Sequence, residues 1–539
     1  VEPETLSPVS YSDVGALQIL NLLFQSLLSP DLSDDSIKPF LAANPPQVER
    51  QDSITLFTYD IREEAEWTNG SPVTAADVAF TLKVLKAPLL NNEFLKPQVE
   101  FIKDIITDAA DPKHFTLVCK GYMPEMELLT GDFFILPAYL FDPNDLLQPI
   151  ELTALGGDLS KLENKQNLHA YAAQFNSPEY GRSASILQGS GGYLLENWTQ
   201  GQHLTLKRKE DWWGNDVSGA SHLTAIPERI SFQIIPDNTT ALYALKNREL
   251  DVLDNIEVSE FDRLKKDKNY LEDYAFFSPD TYEFVYAGIN SRLPKFSDKR
   301  TRQALAHLLD IKSIIQVSQQ NYATPTVGPV PPAVEAYYHD RLRPYTHNPE
   351  RTSSLLKAAG WEREQNVWYK TINGKREQLT VEINYRAGNN NFETASIVFQ
   401  QRASEVGIPV QVQAMEGSLL SQKLKAHEFE MFFRSMSGNP FVFNFKPLLH
   451  TSFAQVGGNN VTGFGTSESD HVLDAINAAE TQNQKAKFLR RLQEILYDEA
   501  AFICMYYRKD RIALHRRFSN LKVSGLKPNY DVSAFTTKE

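Results

Sequence analysis

The middle of the chain limits the fold most. Phe284–Ser291 (FVYAGINS) reads as a strand that ends in a polar turn, and Phe296–Asp310 (FSDKRTRQALAHLLD) as a helix that follows it. Ala304, Leu305, Leu308 and Leu309 form an apolar stripe at helical spacing, with Lys299, Arg300 and Arg302 expected to face water. Ser297 is the expected N-cap, since a hydroxyl there accepts from the free N–H groups of the first turn. A chain of 539 residues is too long for one core, so this strand and helix must belong to one of several lobes.

Composition excludes whole classes of function. A net charge of −14 argues against nucleic acid and against an anionic membrane face. No run of 18 apolar residues exists, so no spanning helix is expected. The two cysteines, Cys119 in HFTLVCK and Cys504 in AFICMYY, sit in strand-like surroundings and read as buried thiols. The first residue, Val1, is not a methionine, which is read as a mature or truncated chain. The 31 Phe and 22 Tyr fit core filling, and also fit the aromatic walls of a concave binding site.

In chain order, Val1–Ser10 is extended and proline-rich, and a helix is expected from about Val14 to Leu28. Ile54–Arg62 alternates like a strand. Asn69-Gly70 is a tight-turn dipeptide, and Thr74 and Asp77 have capping-box spacing for a helix reaching about Lys86, so Trp67 and its neighbours read as scaffold. Phe101–Tyr122 alternates like strands, and Phe141–Gln188 is polar and irregular with helical pieces. Gly189-Ser190-Gly191-Gly192 leads into a strand; no Lys-Ser/Thr follows, so a phosphate loop is rejected. Asp237 is the expected cap of a helix through Leu245. Later strands are expected at Thr380–Tyr385, up to Met415, at Phe429–Phe433 and at Phe502–Arg508. Helices are expected at Phe392–Val406, Asp470–Ala479 and Gln484–Asp498.

Several of these segments, taken in order, resemble the extracytoplasmic solute-binding proteins of ABC importers. The match is to the large peptide-type group (solute-binding protein family 5) with oligopeptide-, dipeptide- and nickel-binding members. The segments are Gly288-Ile289-Asn290 with Phe296 through Arg302-Gln303-Ala304-Leu305 to Asp310, Trp67 through Val78, Gly189 through Leu195, Asp211-Trp212-Trp213-Gly214, Gly328-Pro329-Val330-Pro331-Pro332, and His347-Asn348-Pro349-Glu350 through Trp361. Two departures stand out. Gln25 occupies an acidic position of the family, and Arg248 a glycine position, so the helix exit there is expected to differ from a left-handed glycine cap.

The resemblance implies an α/β, two-lobed periplasmic-binding-protein type II (cluster C) fold with an extra subdomain inserted in lobe one. The implied division is lobe I from 1–45, 184–275 and 508–539, the inserted subdomain at 46–183, and lobe II at 276–507. It implies a monomeric periplasmic or outer-face protein, with or without a lipid anchor on a removed N-terminal segment, that captures an oligopeptide or similar solute by hinge closure and delivers it to an ABC permease. An oligosaccharide-binding or sensory protein of the same fold stands as the alternative. A hydrolytic enzyme is disfavoured: there is no Gly-x-Ser-x-Gly, His-Glu-x-x-His, Walker loop or Cys-x-x-Cys. No cofactor, metal or nucleic acid is expected.

Three stretches are candidate ligand contacts: Tyr11, Ser12 and Asp13 with Gln25; Tyr385, Arg386 and Asn389; and Arg434, Met436, Ser437, Asn439, Phe441 and Phe443. Peptide-binding members carry, near the third, an aspartate that pairs with the peptide amine. That position falls on Asn439 without a gap, or on Met436 or Ser437 with one, and none is a carboxylate. Asp13 and Glu416 are the candidate replacements.

Overall fold

The computed structural model describes residues 2–92, 95–156 and 165–538. The chain forms two compact units, one of Val1–Leu253, Asp267–Phe276 and Ala513–Glu539, the other of Asp254–Lys266 and Phe277–Ile512. No helix among the described residues is long and apolar enough to cross a membrane.

In the first unit, Gln47–Arg50, Ile54–Asp60, His114–Lys120 and Ile102–Thr107 form a four-stranded antiparallel sheet in that spatial order. Alternation along two of these strands turns Phe57, Tyr59, Phe115, Leu117 and the free thiol of Cys119 into the core. The capping box at Thr74 and Asp77 forms as expected and opens the helix Ala75–Lys86. Trp67 is 4% exposed and donates to the Asp77 carboxylate at 3.3 Å, which ties the turn to the helix start. The polar stretch 141–188 contains the helix Lys165–Phe175, while its residues 157–164 lie outside the described residues.

The second unit is built on a six-stranded mixed sheet. Its spatial order is Ala323–Pro325, Phe502–Lys509, Asp280–Ile289, Met431–Ser437, Val381–Arg386, Val410–Met415. Asp280–Ile289 is central and covered on both faces, so its apolar run is nearly continuous. Val285, Ala287 and Ile289 enter one core with Ile503 and Met505, and Phe284 and Tyr286 enter the other with Phe502 and Cys504. At Gly288 an added Cβ would lie 2.3 Å from the Phe432 ring, so only glycine lets the ring close over the strand.

Five expectations are corrected. The stretch after the central strand is two helices, Lys299–Ala306 and Ile311–Gln319. Asp298, not Ser297, caps the first, accepting from Arg300 N; the Ser297 hydroxyl donates instead to the Pro294 carbonyl. Arg302 does not face water. It is 3% exposed, and its guanidinium donates to the Glu499 carbonyl at 2.8 Å, the Phe296 carbonyl at 2.8 Å, the Ser297 carbonyl at 2.9 Å and the Glu499 carboxylate at 2.7 Å.

The first helix stops at Leu23 because Phe24 turns extended and the following backbone pairs with residues 131–135: Ile135 N donates to Gln25 O, and Leu28 N to Gly131 O. Finally, Arg248 takes the left-handed conformation itself (φ 62°). Glu249 N closes back onto the Ala244 carbonyl at 2.9 Å, and the Arg248 side chain is held by Asp273 at 2.7 Å, so the glycine-type exit survives without glycine.

Trp67→Ala should cost about 3–5 kcal/mol of unfolding free energy, the range for emptying a buried indole site. Arg302→Ala should cost a similar ~3–5 kcal/mol, because it leaves Glu499 and three carbonyls without their donor. Glu499→Gln, which keeps the carbonyl contacts, should cost clearly less than Arg302→Ala. Urea denaturation of the three variants checks the order, and equal losses for the two clamp variants would refute it.

Candidate functional site

The first unit contains a cavity of about 90 Å³. The end of helix Val14–Leu23 supplies Gln18, Asn21 and Leu22, and the extended segment after it supplies Phe24, Gln25 and Ser26. Phe134, paired with Ser26 through a single antiparallel bridge, closes one side; Trp212, His222–Thr224 and residues of the C-terminal segment through Ser533 close the rest. The glycine-rich turn explains itself here. Gly191 N donates to Leu23 O at 3.0 Å, and a Cβ on Gly189 or Gly191 would strike the Leu23 or Leu22 carbonyl at 2.3 or 2.4 Å. The indole N–H groups of Trp212 and Trp213 both donate to the Ser190 carbonyl at 2.9 Å, so the turn locks the cavity wall and cradles no phosphate.

Of the residues expected on this unit, Tyr11 packs against Phe134 with ring centroids 6.0 Å apart, and burial together with the nearby Asp132 pushes its phenol up. Ser12 is exposed. Asp13 caps the first helix, accepting from Ala16 N at 2.8 Å. Gln25 is 6% exposed, and its Oε1 is buried with no hydrogen-bond partner among the described residues. Such an orphan is costly unless something else supplies a donor.

On the second unit, Arg434 lies opposite Tyr286 in the sheet and Met436 opposite Phe284. Burial raises the Tyr286 phenol to about 12, and the Arg434 charge beside it pulls the other way. The half-buried Arg434 guanidinium has no hydrogen bond or ion pair among the described residues. Ser437 is exposed. Asn439 folds its own loop, accepting from Phe441 N at 2.9 Å and Val442 N at 2.7 Å. Phe441 is half-buried, whereas Phe443 is core, edge-on to Tyr337 at 5.2 Å. Tyr385 is buried in the core, Arg386 is exposed, and Asn389 caps the helix Asn390–Glu405 through Phe392 N.

Neither candidate for the missing carboxylate is free. Asp13 is a cap, and Glu416 caps the helix Gly417–Lys425, where donation by Ser418 and Leu419 pulls its carboxyl down to about 2. The carboxylates that the sequence reading missed are Asp31 and Asp531 on the cavity wall, and Asp132 beside Tyr11. Asp132 and Phe134 sit on one side of their extended segment while Phe133 and Ile135 turn inward, an alternation legible in DFFI. Asp132 is exposed at the surface, and the protein packed around it raises its carboxyl by desolvation, less than full burial would.

A family model described as "Bacterial extracellular solute-binding proteins, family 5 Middle" matches residues 36–457. The chain belongs to this family. The oligopeptide-binding protein AppA of Bacillus subtilis is 21% identical over 98% of this chain and 89% of its own length. The solved structure of that protein with a nonapeptide superposes with a TM-score of 0.73 at 20% identity, over 100% of this chain and 97% of the other. NikZ of Campylobacter jejuni, solved with Ni(L-His), gives 0.73 at 19% identity over 100% and 98%. The fold is therefore the two-lobed type II fold of these proteins, and the protein is an extracytoplasmic solute-binding protein.

An acid whose carboxyl is raised on folding loses stability as it ionises. Stability should therefore fall as the pH rises out of the usual carboxylate range, and Asp132→Asn should remove that loss. Thermal melts should show the variant gaining on the wild type at pH 8 but not at pH 4. Identical profiles would place Asp132 in an ordinary hydrated setting.

Proposed function

We propose that this protein binds peptides or similar small zwitterionic solutes for delivery to an ABC permease. It acts as a monomer, by binding and not by turnover. The observation that carries this reading is Arg434: a half-buried guanidinium on the sheet of the second unit without a hydrogen bond or ion pair among the described residues. A guanidinium fork matches a carboxylate in charge and shape, and a peptide carries one at its C-terminus. Family membership and the likeness to an oligopeptide-binding relative point the same way. Tyr11, Phe441 and the Gln25 amide are the further contacts we assign; Asp13, Asn389 and Asn439 shape the backbone around them, as their caps and turns require. We also assign residues 46–183, with their own four-stranded sheet, as an inserted subdomain of the first lobe.

Calorimetric titration with a pentapeptide tests the reading. Arg434→Ala should weaken binding at least ~10-fold, the loss of one charge-assisted pair, with the melting temperature of the ligand-free protein unchanged. The same peptide with an amidated C-terminus should bind the wild type weakly and be indifferent to Arg434→Ala. If the amide binds as well as the acid, Arg434 does not read the carboxylate.

A further inference from the structure

The cavity of the first unit has an acidic lining. Asp31 and Asp531 are among its lining residues, and no lysine or arginine is among the described ones. His222, the only ionisable nitrogen among the described lining residues, is engaged at Nε2 with the Pro39 carbonyl at 2.9 Å. Asp531 is held in place by Ser533 N at 2.9 Å, Ser533 Oγ at 2.6 Å and Thr224 Oγ1 at 3.3 Å. Burial raises its carboxyl, and Asp31 is near enough to raise it further. Asp31 accepts only from Ser33 N among the contacts of its side chain, at 2.8 Å. Two buried amide atoms of the lining have no partner among the described residues, the acceptor Gln25 Oε1 and the donor Gln18 Nε2, and Phe40, Phe134 and Trp212 line the space.

Two carboxylates and an orphan carbonyl in an aromatic-walled cavity demand donors and positive charge. An anionic group would face both carboxylates and leave Gln25 unsatisfied. A bare metal ion is poorly served, since no group of three or more His, Cys, Asp or Glu among the described residues could hold one. The volume suits the end group of a side chain and not a peptide.

We propose that this cavity is a subsite for an ammonium group, so that the protein selects basic solutes, such as peptides with a lysine-like side chain, over neutral and acidic ones. This rests on the reading that the first unit contributes to solute binding, and it names the solute class that the reading leaves open. Gln25 at a position where the resembling family carries an acid then fits: the negative charge comes from Asp31 and Asp531, supplied by different segments of the same wall.

The test is calorimetric titration of the full chain with trilysine, trialanine, triglutamate and the bare diamine cadaverine. The expected result is trilysine at least ~10-fold tighter than trialanine, triglutamate weakest, and cadaverine binding measurably on its own. Asp31→Asn and Asp531→Asn should each narrow the trilysine preference and abolish cadaverine binding while leaving trialanine unchanged. Asp31→Asn is the safer variant, because Asp531 also orders its own loop. Trialanine binding with no lysine preference and no cadaverine signal overturns the subsite and leaves the peptide reading standing. Cadaverine binding lost in Asp31→Asn, with no binding of any peptide, supports the subsite and overturns the peptide reading. No binding by any of the four probes overturns both.

Discussion

The second unit depends on a cation where the chain could have placed an aliphatic residue. Arg302 joins two things that are distant in sequence: the turn at Phe296–Ser297, just before its own helix, and the end of the helix Gln482–Glu499. That last helix ends in a left-handed residue, Ala500, which leaves carbonyls at its negative pole. A guanidinium fits there because its planar fork satisfies several acceptors at once, which one ammonium point charge does less well. Lys299 meets Asp498 one residue earlier, so two cations hold the same helix end. Directly after it the chain enters Phe502–Lys509, which lies beside the central strand, so the clamp sets where that strand begins.

The error at Arg302 shows how sequence reasoning fails at such points. Its spacing to Leu305 and Leu309 is that of the buried stripe, so periodicity marked the position as inward; residue type overrode it. A charged side chain reads as solvated until its partners are known, and the Glu499 carbonyl and carboxylate are 197 residues away along the chain. Local rules fared better wherever both partners are local. The capping box at Thr74 and Asp77, the Asp237 cap and the strand alternation around Phe57 and Phe115 all formed as read. The choice of Ser297 over Asp298 was a local rule applied one residue early. The overlong first helix failed for a non-local reason, since residues 131–135 compete for its backbone beyond Leu23.

The candidate site was less legible than the fold, and for one physical reason. Polar residues at loop starts bind ligands and cap helices with the same atoms, and sequence does not say which. Asp13, Asn389, Asn439 and Glu416 all serve the backbone. What separates Gln25 from them is an unmet valence, and Arg434 the lack of a partner among the described residues, visible only once every nearby donor and acceptor is placed. Conversely, Asp31 and Asp531 carry no motif and are five hundred residues apart; only the fold of the first unit puts them on one wall.

Within a shared fold, discrimination among solutes comes from groups that are left incomplete in the free protein. A cavity lined by two carboxylates, with no lysine or arginine among its described lining residues, rejects an anion more strongly than it attracts a cation, because the wrong ligand leaves half-buried carboxylates facing like charge while the right one replaces water it had to give up. The neutral Gln25 is then informative. A third carboxylate there would raise the repulsion among these acids with no bound solute to relieve it, whereas an amide adds an acceptor without adding charge. On this argument the amide keeps the empty cavity stable enough to wait for its cation, and the two aspartates set which charge it waits for.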